Sequence, residues 1–251
     1  MECELPPDST RFAALQQAYF GRVDEAKYRW QIGSPVLSAT ERQLVAAAAG
    51  EGRLLEVGCG EGGNLFHIGS RDAMTVGLDL SHPKVVFAST QIAWSRFVCA
   101  DAVHLPFRTG AFVRVLCRDV LHHLTPDQAC GAVAELFRVC RPEGEVILIE
   151  PNGRNPLMRL FALLVPAERG ALRSKPHTLT TLALASGAAI QLNMMQPLPL
   201  ERALLHYRYG VPGMARWTAT EMMIRLFDGI LKHVIPRSCW AYIVIRGRPR
   251  A

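Results

Sequence analysis

No stretch of this 251-residue sequence stays apolar for long. Arg159 interrupts the run from Leu157 to Val165, and Thr, Ser and Gln dilute the segment from Leu179 to Met195, so nothing reads as a membrane-spanning helix. The first residues lack the basic start and apolar run of a secretory signal and carry Glu2, Glu4, Pro6 and Pro7 instead, which predicts a cytoplasmic protein. The seven cysteines, at positions 3, 59, 99, 117, 130, 140 and 239, include no C-x-x-C pair. Their odd number suits reduced thiols and predicts neither a disulfide nor a zinc site. Acidic residues are scarce in one part of the chain only. Residues 1–150 hold 14 Lys/Arg and 18 Asp/Glu, a net of −4, whereas residues 151–251 hold 14 and 4, a net of +10. The overall +6 therefore belongs to the C-terminal part alone.

With 49% hydrophobic and 20% charged residues, the chain has the material for one domain with a substantial core, carrying insertions. Five short β-rich runs alternate with helical segments, the pattern of a parallel sheet covered by helices on both faces. They predict strands over Leu54–Val57, Met74–Leu78, Arg96–Cys99, Phe112–Cys117 and Glu145–Glu150. One helix is predicted from Thr40 to Ala49, stopped by Gly50. A second opens after Thr125, with Pro126 at its first position, and ends near Arg141 ahead of Pro142 and Gly144. Thr180–Ser186, closed by Gly187, reads as a further helix, Ala188–Asn193 as a sixth strand and Trp240–Ile245 as a seventh. Residues 1–35 read as an N-terminal cap segment and 36–251 as the domain, with insertions at about 152–177 and 197–237 that are rich in Arg, Leu and Met.

The chemistry-bearing residues sit at the predicted strand ends. LLEVGCGEGGN at 54–64 places Gly58, Gly60 and Gly63 after a strand and at a helix start, a G-x-G-x-x-G spacing in its proper context. Such glycines let a ligand approach the backbone, and the helix that follows offers free N–H groups. Glu56 discriminates between ligand classes, because a carboxylate at this strand end repels a pyrophosphate and attracts an ammonium group. Asp79 lies 19 residues after Gly60, the distance at which a carboxylate accepts hydrogen bonds from both hydroxyls of a ribose. Asp101, in FVCADAVHLPF, or the neighbouring Ala102 N–H is placed to meet the amino edge of an adenine.

Taken together, LLEVGCGEGG, VGLDLS, CADAVHLPF, RDVLHHL at 118–124 and LFRVCRPEGEVILIEP at 136–151 resemble the class I S-adenosylmethionine-dependent methyltransferases, in particular the type 11 group. The resemblance spans about Leu54 to Glu150. It implies the Rossmann-like methyltransferase fold: a seven-stranded α/β sheet, mostly parallel with the last strand antiparallel. It also implies S-adenosylmethionine as cofactor, held by Glu56, Gly58, Cys59, Gly60, Asp79, Leu80, Asp101, Ala102 and the segment beginning at Arg118. Two positions depart from the family pattern: Val113 stands where Asp is common, and Glu143 where Gly is common. A nicotinamide-dependent oxidoreductase and a catalytically inactive, methyltransferase-like binding protein are the alternative readings.

Methyl transfer from a sulfonium is an in-line displacement that needs alignment and exclusion of water but no metal. No metal ligands are assigned, since His122 and His123 are adjacent, point to different sides of a helix or turn, and lack i, i+4 spacing. Either histidine is a candidate general base, and Glu150 is a further residue that faces the acceptor or is simply a strand-end charge. If strands one to six run parallel and the seventh returns, both insertions emerge at the cofactor end and surround the acceptor entrance. Their apolar residues alternate with Arg and Lys, as in interfacial helices, so the expected acceptor is a small or lipid-like molecule, with peripheral membrane contact as an option. Packing of the same helices on the domain, with a solvated basic face, is the plainer reading. Nucleic acid ranks lower, because the basic residues are interleaved with Leu, Met and Phe. Tyr28 and Trp30 either cover the cofactor as a lid or pack in the core.

Overall fold

The structure, a computed structural model, describes residues 16, 18–69 and 74–249. Cys3 and most of the first half of the cap segment fall outside the described residues. The strands are β1 (Leu54–Val57), β2 (Thr75–Asp79), β3 (Ser95–Cys99), β4 (Phe112–Arg118), β5 (Cys140–Pro151), β6 (Ala189–Met195) and β7 (Tyr242–Arg248). They form one sheet in the order β3-β2-β1-β4-β5-β7-β6. β1 to β5 pair in parallel, and β7 runs antiparallel between β5 and β6, so the mixed seven-stranded sheet expected from the sequence is the observed one.

The helices described are α1 (Glu25–Gly33), α2 (Pro35–Val45), α3 (Gly63–Ile68), α4 (His82–Gln91), α5 (Pro126–Val139), α6 (Pro156–Leu164), α7 (Pro176–Ala185), α8 (Leu200–Leu204) and α9 (Thr218–Val234). The central strands alternate between two cores. Val146 and Leu148 of β5 pack in one with Val133 and Leu136 of α5 and Ala183 of α7. Ile147 and Ile149 pack in the other with Leu44 of α2 and Leu65 of α3. Side chains of a strand point to opposite faces in turn, and a strand covered on both faces must be apolar throughout, which is why VILI appears without a polar interruption. Each such side chain contributes about 1.5–3 kcal/mol on burial.

Several boundaries differ from expectation for local reasons. α2 begins at Pro35 rather than Thr40, because Ser34 caps it by accepting from Leu37 N at 3.4 Å with Pro35 in the first turn. α7 likewise starts at Pro176 rather than Thr180. α5 stops at Val139 and β5 begins at once, running through Pro142 and Gly144 to pair Cys140 with Phe112 before a register shift. Pro142 is tolerated at this irregularity. Gly144 is required there, since a Cβ would lie 2.5 Å from the Val113 carbonyl oxygen. The unusual Val113 and Glu143 thus sit in this irregular pairing, away from the strand ends that carry the motifs.

Candidate active site

A cavity of about 1590 Å³ opens along the C-terminal ends of β1, β2 and β4. That exceeds the usual 300–1,000 Å³ of a single ligand pocket and leaves room for a donor and an acceptor together. On the strand side, Gly58 N and Cys59 N donate to Leu78 O at 2.7 and 3.0 Å, which pins the glycine loop to β2. Gly58 has φ +76° and no room for a Cβ, which would stand 2.1 Å from Val120 Cγ2. Asp79 accepts from Gly60 N through Oδ2 and from Ser81 N through Oδ1, both at 2.8 Å. Each carboxylate oxygen keeps a further lone pair in a residue that lines the cavity. Leu80, Asp101 and Ala102 line the same wall; Leu80 is exposed, and Asp101 also closes its turn by accepting from Val103 N at 3.1 Å.

Glu56 does not line the cavity. It is wholly buried one layer behind the wall, where Asn64, which does line it, donates to Glu56 Oε1 at 2.6 Å and accepts from Arg118 Nη1 at 2.9 Å. Burial pushes the Glu56 carboxyl up to about 8 against the opposing pull of Asn64 and Arg118. Arg118 reaches the cavity but is held from beneath by Glu41, at 2.7 Å, and Glu41 also pairs with Arg202 from the second insertion. Burial opposes the charge on Glu41, yet these two guanidinium groups outweigh it and hold its carboxyl below the usual range. Asp119, next in the chain, adopts φ +56°, a conformation that Asp tolerates better than most residues, and brings its carboxylate to 3.3 Å from Arg118 Nε.

Just beyond the end of β4 lies a line of carboxylate, imidazole and carboxylate. His122 Nδ1 meets Glu150 Oε2 at 2.6 Å and His122 Nε2 meets Glu168 Oε2 at 3.3 Å. Glu150 is fully buried and also accepts backbone N–H bonds from Val120, Leu121 and His122, so it fixes the ring. Burial disfavours a charged His122, but the charges and hydrogen bonds of Glu150 and Glu168 prevail and raise its pKa. His123 goes the other way: burial and the charge of His122 push its pKa down, its ring packs 4.4 Å from that of Phe20, and its buried Nδ1 has no hydrogen-bond partner. The expectation that adjacent histidines point apart is corrected. In the 3-10 turn Leu121–His123 their rings lie 3.8 Å apart, and donor atoms of His122, His123 and Glu168 all fall within 4.8 Å of one another. This is a potential cation-binding group that sequence spacing argued against, although both His122 nitrogens are already engaged by carboxylates.

The sequence profile of the methyltransferase domain family matches residues 55–148. That match takes in β1 to β4 and most of β5, and the fold of the whole chain is shared with solved S-adenosylmethionine-dependent methyltransferases. Over 96 residues it is 34% identical to a tRNA (carboxymethyluridine(34)-5-O)-methyltransferase of Arabidopsis thaliana, covering 38% of this chain and 23% of that protein. It is 27% identical over 156 residues to the norajmaline N-methyltransferase of Rauvolfia serpentina, covering 59% of this chain and 52% of the other. The chain thus spans about a quarter of the first of these relatives and about half of the second. Among solved structures, phosphoethanolamine N-methyltransferase 2 of Haemonchus contortus, bound to phosphomonomethylethanolamine and S-adenosylhomocysteine, superposes with a TM-score of 0.64 at 18% identity, covering 90% of this chain and 56% of that one.

The methyltransferase domain is closed over by residues that carry no motif. The first insertion contributes Leu157, Leu160, Phe161 and Glu168, and the second contributes Arg202, His206, Tyr207 and Tyr209. α9, although in the second insertion, does not line the cavity. Glu168 reaches His122 because Gly170 lets the 3-10 turn Pro166–Leu172 lie against it; a Cβ there would stand 1.7 Å from His122 O. Asp24 ties the cap to the rest: it caps α1, its N–H donates to Glu61 at 3.0 Å, and it accepts from Tyr207 and Arg208, each at 2.5 Å. Of the two aromatics singled out in YRWQ, Trp30 lines the cavity, whereas Tyr28 is buried against Phe87.

Proposed function

We propose that this chain transfers a methyl group from S-adenosylmethionine to a small molecule with an apolar body, and that Glu168 takes up the proton the acceptor loses. Bound S-adenosylmethionine supplies a methyl group on a sulfonium, open to in-line displacement. The residues present fit that group. Asp79 has spare lone pairs for ribose hydroxyls, Gly58 holds a left-handed turn packed on Val120 that keeps its backbone at the cavity wall, and Leu80, Asp101 and Ala102 offer an adenine wall. Glu56 acts at one remove, by fixing Asn64.

The observation that carries the proposal is the line Glu168–His122–Glu150, whose Glu168 and His122 line the same cavity as the glycine loop. An acceptor nucleophile gives up one proton as its bond to the methyl carbon forms. Glu168 lies at the cavity face to receive it, and His122, itself held by Glu150, fixes the position of that carboxylate. Leu157, Leu160 and Phe161 supply an apolar bed for the body of the acceptor. The match to the tRNA methyltransferase covers 38% of this chain and 23% of that protein and so carries no argument about the acceptor.

Titration with S-adenosylhomocysteine and with NAD tests the donor: binding of NAD alone overturns the proposal. Asp79→Ala is expected to weaken S-adenosylhomocysteine about 100-fold, since two hydrogen bonds to a charged acceptor are lost. Glu168→Gln is expected to lower kcat about 100-fold or more with donor affinity unchanged. Equal loss of donor affinity would make Glu168 structural.

A further inference from the structure

We infer that α9, together with the exposed side of α6, docks the protein on an anionic lipid surface. α9 buries only Thr220 and Ile224 against the domain. Its Met222, Met223, Leu226, Phe227, Ile230 and Val234 are between 41% and 71% exposed and recur at helical spacing, so they form one continuous apolar stripe facing away from the core. α6 adds Leu160, Leu163 and Leu164, all more than half exposed, and Leu160 and Leu164 also line the cavity. The apolar stripe and the cavity rim thus belong to the same two insertions.

The charge of these insertions identifies the occupant. Residues 152–177 hold five Lys/Arg and one acid, and residues 197–237 hold six and three, giving +4 and +3, with Arg202 and Arg208 of the latter engaged by Glu41 and Asp24. α9 itself is charge-balanced, Glu221 pairing with Arg225 at 2.6 Å and Asp228 with Lys232 at 3.0 Å, and its positive flanks are Arg216 and Arg237. A second copy of the chain on a two-fold axis would set positive charge against itself. A bilayer with acidic headgroups matches both the charge and the flat apolar stripe. Among the described residues no helix is long and apolar enough to cross a membrane, so α9 lies in the interface.

Flotation of the full chain tests the inference, with vesicles of phosphatidylcholine alone and of phosphatidylcholine mixed with phosphatidylglycerol. The protein is expected to float with the mixed vesicles only and to be released by salt. Emission of the exposed Trp217 is expected to shift to the blue, and the shift should vanish in Trp217→Phe. The double variant Leu226→Ser/Ile230→Ser, altered only at exposed positions, should partition about tenfold less or worse while S-adenosylhomocysteine affinity is unchanged. Absence of flotation by the parent chain, or flotation of the double variant at parental strength, overturns docking. So does sedimentation showing a dimer that the same double variant dissolves without any vesicle binding. Because cofactor affinity is read separately, a chain that binds S-adenosylhomocysteine but not vesicles refutes docking alone, and the converse refutes methyl transfer alone.

Discussion

The strand-end wall and the insertion wall of the cavity are built by different means. On the strand side, short loops are pinned by backbone bonds: Gly58 and Cys59 to Leu78, Gly60 to Asp79. On the insertion side, irregular backbone is held by buried polar side chains. Asn155 donates to Pro197 O and Cys239 O, both at 2.8 Å, and accepts from Leu157 N and Met158 N; Asn152 bonds Ser238 O and Trp240 O. Residues near 155 are thereby stitched to residues near 197 and 239. The difference teaches that the strand-end wall uses local geometry, which short motifs encode. The insertion wall depends on contacts between distant segments, which they do not.

The largest expected effect is at the junction of the two walls. Arg118→Met removes one of the two guanidinium partners of fully buried Glu41 and is expected to cost about 3 kcal/mol in chemical denaturation. A loss below about 0.5 kcal/mol would show that Arg202 alone satisfies Glu41 and that the walls are less coupled than described. Asn155→Ala comes next, at about 1–3 kcal/mol, because two buried carbonyls and two helix N–H groups lose their partner. Hydrogen exchange should then speed up over 152–172 and 197–216 while β1, β4 and β5 stay protected. Uniform deprotection would erase the distinction between the walls.

The smallest effect concerns Glu56. Its carboxyl titrates near 8 in the folded chain against an ordinary 4.5, so between those values the folded state holds a proton that the unfolded state has released. That contribution is complete below about pH 4.5 and is lost as pH rises through 8. Glu56→Gln is therefore expected to match the parent chain at pH 4 and exceed it by about 1–3 kcal/mol at pH 8. Parallel stability curves would place an ion pair, rather than a neutral carboxyl, behind Asn64.

The strands, the sheet class and the glycine loop were legible because each rests on neighbours in sequence. VILI must be a central strand, and Gly58, Gly60 and Asp79 carry their spacing with them. Glu56 was legible as important but not in its place, since only the packing of Asn64 and Arg118 around it sets it back from the cavity. Glu41, Arg202, Glu168 and Asp24 carried no signal of their own: a lone charge in a helix or turn usually reads as a solvated face. The one clue was at 170, where a glycine follows Glu168 and Arg169 outside any strand-end motif.

Alternation of apolar residues and glycine spacing are short-range properties, so the chain alone determined the parallel strands and the glycine loop, while the reversed last strand and the donor were what the family resemblance of the motifs implied. Tertiary structure decided which charges are buried together, because pairs such as Glu41 with Arg202 are 161 residues apart and desolvation acts only once they meet. It likewise turned two adjacent histidines into unlike groups, the pKa of one raised by Glu150 and Glu168 and that of the other pushed down by burial and the charge of its neighbour.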